Sequence, residues 1–267
     1  MILADCHVHT EFSNDCSVKT ERQIETAIEL GLKFICITDH CDMDYPSAEE
    51  EAEYILNTEQ YVRKIEFLKE KYKKQINVLC GVEIGLRPYL KERINRYNFD
   101  FIIGSSHAVN GIDIGFNFNE FFKGKSEKQA YREYFEYTLE NVKTFDNYNV
   151  YGHLDFVVRY GPNKSKYFNF NDYKDLFVEI LKTIVQNGKG IEVNTAGLRK
   201  NLGYPHPHKD ILKMYKDLGG EIITIGSDAH LPEHIGYKFE DIPEILKSIG
   251  FNYYTVFENQ NPKFYKL

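Results

Sequence analysis

The chain has 267 residues, 42% hydrophobic and 27% charged, which suits one globular domain around a substantial core and excludes a disordered or fibrous protein. Lys and Arg number 33 against 40 Asp and Glu, a formal charge of -7, so no broad positive field is available to hold a nucleic-acid backbone. Apolar runs stop well short of a membrane span, as where Asp39 and His40 follow Phe34 to Thr38, and the first residues lack the basic and long apolar stretches of a secretory signal.

In chain order, short β-like runs alternate with amphipathic helical stretches, the pattern of a parallel α/β fold. Strands are expected at Ile2 to His9, Phe34 to Thr38, Asn77 to Ile84, Phe101 to Ser105, Val150 to Leu154, Gly190 to Asn194 and Ile222 to Gly226, with Tyr253 to Phe257 as a further candidate. Helices are expected at Glu21 to Leu30, Glu49 to Tyr72, Glu127 to Phe145, Tyr173 to Asn187, Lys209 to Leu218 and Pro243 to Ile249. No linker-like tract or repeat interrupts the series, so residues 1–267 read as a single domain of seven or eight βα units. Five cysteines without CxxC spacing, at 6, 16, 36, 41 and 80, point to a reducing cytoplasm. Cys6 and Cys41 adjoin candidate metal ligands but read as small packing residues.

Counting strands does not separate a barrel from an open doubly wound sheet. The polar residues do: His40, Glu83, His107, His153, Asp228 and His230 stand at or just past the C-terminal ends of successive strands, where a closed barrel collects its site. An open sheet would gather neighbouring strand ends alone. In the first strand, the two-residue period puts His7 and His9 on one face, and Asp15 follows in a polar loop. Six imidazoles and three carboxylates brought to one place would be costly to bury without cations. A catalytic zinc takes about three protein ligands, so nine side chains suit three divalent ions and leave a pocket that attracts an anion.

Arg159 and Arg199, each beyond a strand end, are candidates for the anion because a guanidinium fork matches phosphate oxygens. His206 and His208 sit on the same rim in Tyr204-Pro205-His206-Pro207-His208, and His206 is the candidate for substrate contact. His234 reads as surface.

The ordered motifs Asp5-x-His7-x-His9-Thr10, Ser13-x-Asp15, Thr38-Asp39-His40, Gly81-Val82-Glu83, Ser105-Ser106-His107, Gly152-His153-Leu154-Asp155 and Gly226-Ser227-Asp228-Ala229-His230 resemble the polymerase-and-histidinol-phosphatase (PHP) family. Within it, Glu192 to Lys200 followed by Tyr204-Pro205 is similar to the stand-alone histidinol-phosphate phosphatases. The resemblance implies a distorted (β/α)7 TIM-like barrel and a trinuclear site binding zinc, manganese or iron. One ion would be held by His7, His9, Glu83 and Asp228, a second by the bridging Glu83 with His107 and His153, and a third by Asp15, His40 and His230. The implied reaction is hydrolysis of L-histidinol phosphate in histidine biosynthesis by a hydroxide bridging two ions. Asp15, His230 or a water on the third ion would serve the leaving alkoxide, and Asp155 or Glu11 would suit the amine of that substrate. The rivals are a phosphoesterase of the same type acting on nucleotides or phosphoproteins, an exonuclease, an amidohydrolase, and a metal-binding module without turnover.

Overall fold

The computed structural model describes residues 1–42, 56–86 and 96–267. Seven parallel strands run side by side in the order β1 (Ala4–Val8), β2 (Phe34–Ile37), β4 (Asn77–Gly85), β5 (Phe101–Ser105), β8 (Val150–Tyr151), β9 (Gly190–Asn194) and β10 (Ile223–Gly226), with the two-residue β3 (His40–Cys41) also pairing β4. They are buried almost throughout, as strands flanked by helices must be. The ends of the series meet. His9 N–H donates to Ala229 O at 2.9 Å, and the Asp5 carboxylate accepts Ser227 N–H at 3.0 Å and Ser227 Oγ–H at 2.6 Å. The expected α/β barrel is therefore the observed fold, nearly closed, with its seam joined partly by a side chain.

The enclosing helices are α1 (Thr20–Glu29), α2 (Thr58–Tyr72), α4 (Glu127–Thr144), α5 (Lys174–Gln186), α7 (Lys209–Asp217) and α8 (Ile242–Ile249); α3 (Phe118–Phe122) and α6 (Ala196–Arg199) are short and lie in loops past strand ends. Local chemistry sets several starts. Ser126 and Gln129 form a reciprocal capping box on α4, and Glu11 accepts the first N–H of α1 from Thr20. Glu11 is thus a helix cap and lies outside the cavity lining, which removes it as an amine contact. The helix expected over Glu49 to Tyr72 is observed from Thr58; its residues 49–55 lie outside the described residues. Among the described residues no helix is long and apolar enough to cross a membrane.

Two expectations change. The strand expected over Val150 to Leu154 stops at Tyr151, because His153 turns to a positive φ of 20°. Tyr253 to Phe257 is not a barrel strand: β11 (Tyr253–Glu258) pairs antiparallel with β12 (Asn261–Lys266) in a separate hairpin. That hairpin packs where barrel strands begin. Phe257 stacks on Phe101, Tyr265 meets Phe34, and Gln260 N–H donates to Asp100 O. The end at which strands finish stays open. There β6 (Ala108–Val109) and β7 (Ile112–Asp113) form a small ribbon after β5.

Candidate metal centre

Strand periodicity carries His7 and His9 to one side of β1, where their Nε2 atoms lie 3.0 Å apart. Opposite them stands Glu83 of β4, fully buried. Its Oε2 lies 3.1 Å from His7 Nε2, 3.2 Å from His40 Nδ1 and 3.5 Å from His9 Nε2. Its Oε1 lies 2.9 Å from His153 Nε2 and 3.1 Å from His107 Nε2, and accepts Ser105 Oγ–H at 2.7 Å. Asp228 Oδ1 is 3.4 Å from His9 Nε2, and His230 Nε2 is 3.0 Å from Asp15 Oδ2, which is 3.7 Å from His40 Nε2. All nine side chains singled out by position in the chain thus converge. Two of them, His153 and Asp228, occupy positive φ, a backbone cost of about 1–3 kcal/mol each that the surrounding structure must offset.

The electrostatics explain what the cluster needs. Burial opposes a charge on His7 and His107, yet Glu192 and Glu83 around the first, and Asp42 and Glu83 around the second, push both imidazoles well above their ordinary range. Burial likewise opposes ionisation of Glu83 and Asp228, and the surrounding imidazoles outweigh it and hold both well below the usual carboxylate range. His9 behaves oppositely: burial, with His230 and His40 beside it, drives it down to about 3, so its ring is neutral. The cage therefore favours positive charge at its centre. Divalent ions would supply it, and groups of ligand atoms within 4.8 Å of one another occur at His7, Glu83 and His153, at His7, His9 and Asp228, at His9, His40 and His230, and at His40, Asp42 and His107. The donor set of imidazole and carboxylate fits such ions.

Three supports escaped sequence reasoning. Asp42 Oδ2 lies 2.6 Å from His107 Nδ1, and its two-residue offset from His40 was the available signal. Ser13 Oγ donates to Asp39 at 2.6 Å and lies 3.1 Å from His9 Nδ1. Glu192, an acid within the apolar strand β9, reaches His7 Nδ1 at 2.6 Å. Imidazole ligands whose second nitrogen is tied in this way present a defined tautomer to a metal.

A cavity of about 330 Å³ opens over the cage, lined also by Arg159, Arg199, Lys200, Phe116, Phe156 and Tyr160. Arg159 Nη1 lies 3.3 Å from Asp228 Oδ2, whereas Arg199 donates from Nη1 to Ser227 O at 3.0 Å and from Nη2 to Asp228 O at 2.9 Å. Both arginines reach the cavity, but Arg199 spends part of its fork on backbone carbonyls. His234, expected on the surface, is half-buried and lines the cavity. His206 differs from expectation too. It is fully buried outside the lining, with Nδ1 2.5 Å from Asp155 Oδ1, because its backbone pairs with Asn194 and turns the ring inward. Asp155, also buried, is occupied by His206 and by the His208 N–H, so it does not face a substrate amine. His206→Ala is expected to cost about 1–3 kcal/mol of stability in urea denaturation by leaving Asp155 under-partnered. A raised KM at unchanged stability would return His206 to the substrate. Cys6 and Cys41 are buried, as packing residues are.

Comparison with known proteins agrees with this geometry. The histidinol-phosphatase of Lactococcus lactis is 32% identical over 257 residues, spanning 95% of this chain and 93% of that protein. The histidinol-phosphatase of Bacillus subtilis is 25% identical across 88% of this chain and 96% of its own. The crystal structure of the lactococcal histidinol phosphate phosphatase, complexed with zinc, L-histidinol and phosphate, superposes with a TM-score of 0.85 at 31% identity, covering 97% of this chain and 98% of that one. The PHP domain family matches residues 5–196, the stretch that holds seven of the nine converging side chains, and the chain belongs to that family.

Proposed function

We infer that this protein is a metal-dependent phosphomonoesterase that hydrolyses L-histidinol phosphate to L-histidinol and phosphate, a step of histidine biosynthesis. The observation that carries the reading is the convergence of six imidazoles and three carboxylates under a cavity that two arginines also line. The lactococcal relative, crystallised with zinc, L-histidinol and phosphate, supports the substrate.

The proposed occupants are three divalent ions, zinc, manganese or iron. His7, His9, Glu83 and Asp228 would hold one, Glu83, His107 and His153 a second, and Asp15, His40 and His230 a third. Such ions supply positive charge that brings the pKa of a water from 15.7 toward about 7 and draws charge from phosphorus. The chain's own residues do the rest. His9, kept neutral, offers its Nε2 lone pair at the pH of the cell. Arg159 and the uncommitted N–H groups of Arg199 bind the non-transferring phosphate oxygens. Phe116, Phe156 and Tyr160 give the organic part an aromatic wall and exclude water there. Asp15 and His230, 28% and 25% exposed, are the cage members most open to solvent. They are the side chains proposed to orient, at this open edge, the water that gives the leaving alkoxide its proton.

The test is phosphate release from L-histidinol phosphate set beside nucleoside monophosphates, phosphotyrosine peptides and single-stranded DNA. L-Histidinol phosphate is expected to lead in kcat/KM by about 10²-fold or more, and expression of the gene to restore growth of a histidine auxotroph lacking the phosphatase. A nucleotide or phosphopeptide turned over as well or better overturns the substrate assignment.

A further inference from the structure

We infer that Glu192 is a positioning residue whose single carboxylate sets the His7 ring and the His153 backbone so that both imidazoles face an ion correctly; this rests on the metal-binding reading of the cage. Glu192 is 1% exposed and does not line the cavity, so it acts through other residues. Its Oε1 lies 2.6 Å from His7 Nδ1, while Oε2 accepts His153 N–H at 3.0 Å and Asn194 Nδ2–H at 3.1 Å. The carboxylate therefore joins the chain just past β8 to β9 itself and, across β10, to β1.

The barrel interior is cleared for this reach. A Cβ at Gly226 of β10 would stand 2.5 Å from Glu192 Oε1 and 2.4 Å from His7 Cβ, and one at Gly152 would stand 3.5 Å from Glu192 Oε2. Any side chain at Gly226 would displace the contact. The neighbours also dictate a carboxylate. The His153 backbone N–H is a donor, and Asn194 turns its amide nitrogen to Glu192 because its Oδ1 accepts Ala196 N–H at 2.9 Å. An acceptor-only group satisfies both and takes the His7 Nδ1 proton on its other oxygen. Toward an ion, His7 would then offer Nε2, which lies 3.1 Å from Glu83 Oε2 and 3.0 Å from His9 Nε2. His153, at φ 20°, has no side-chain partner on Nδ1, so the bond to its backbone N–H is what Glu192 contributes to its aim. An amide at 192 would set an NH2 group against one of these donors, and the rings would lose their alignment.

The experiment measures zinc affinity by chelator competition, and the melting temperature of metal-free protein, for the parent and Glu192→Gln. The expected result is zinc binding weaker by about 10–100-fold in a metal-free protein that still folds and melts somewhat lower, since one buried donor loses its acceptor. A Co(II)-loaded sample should show an altered d–d spectrum. Parental affinity and spectrum in the variant overturn the inference while leaving the metal centre standing; a parent that binds no zinc overturns the metal reading itself. Should Glu192→Gln not fold, Glu192→Asp replaces it, withdrawing the oxygens by one methylene. It too must bind zinc more weakly, and parental affinity, or failure of both variants to fold without metal, assigns Glu192 to the fold alone.

Discussion

Glu83→Gln is expected to lower kcat/KM for L-histidinol phosphate by about 10²–10³-fold or more, to the activity of the parent stripped of metal. Unlike the stripped parent, it should not recover when zinc is returned. The reason is the number of groups that share this carboxylate. Five imidazoles approach its two oxygens, His153 and His107 on Oε1 and His7, His40 and His9 on Oε2. An amide keeps the volume but removes a negative charge from the centre of the cage. It also turns an NH2 group toward ring nitrogens that must offer lone pairs to an ion. Ser105 Oγ–H can still be accepted by the remaining oxygen, so the fold should persist and the loss should be one of metal. Elemental analysis, far-UV circular dichroism and phosphate release measured on one sample decide it. Parental zinc content with parental rate would remove Glu83 from the centre.

Six of the nine cage residues could be read from the chain because each stands at or just past the end of a strand-forming run, and a closed parallel barrel carries every such end to one rim; His7 and His9 followed from the two-residue period of the first strand, and Asp15 from the polar loop after it. β5 and β9 fall on the expected residues for the same reason: apolar runs bounded sharply by polar ones. What escaped depends on neighbours in space. Asp42, Ser13 with Asp39, and Glu192 acquire meaning when His107, His9 and His7 arrive beside them, and beyond the two-residue offset of Asp42 from His40 no spacing in the chain encodes those meetings. Tyr253 to Phe257 misled because its alternation suits a barrel strand equally well. The hairpin that claims it turns on Asn259 and Gln260, both at positive φ, and a turn of this kind without glycine leaves a faint trace in sequence. His206 shows the limit of loop reading. Two prolines fix an extended path, but which way the ring points was decided by pairing with Asn194, a contact made outside the loop.

Arg199→Ala is expected to lower kcat/KM about ten- to a hundredfold, the scale of charge-assisted hydrogen bonds lost from a buried site, and Arg199→Lys to recover less than half of that loss on a logarithmic scale. Arg199 has two tasks. Its N–H groups facing the cavity are the ones proposed to bind phosphate oxygens, and its Nη1 and Nη2 hold the carbonyls of Ser227 and Asp228. The second task keeps Asp228 at φ 54°, a conformation a non-glycine residue adopts at a cost. Lysine restores a charge but not a planar fork that can serve two carbonyls and an anion together. Arg159 meets the same residue from the other side, on the Asp228 carboxylate. Arg159→Ala and Arg199→Ala should therefore fall short of additivity when combined, because either one already frees Asp228 from part of its hold. Steady-state kinetics on the four proteins of the cycle, each checked for zinc content, measure this. Full additivity would separate the two arginines, and an unchanged kcat/KM in Arg199→Ala would leave the phosphate to Arg159 and the metals.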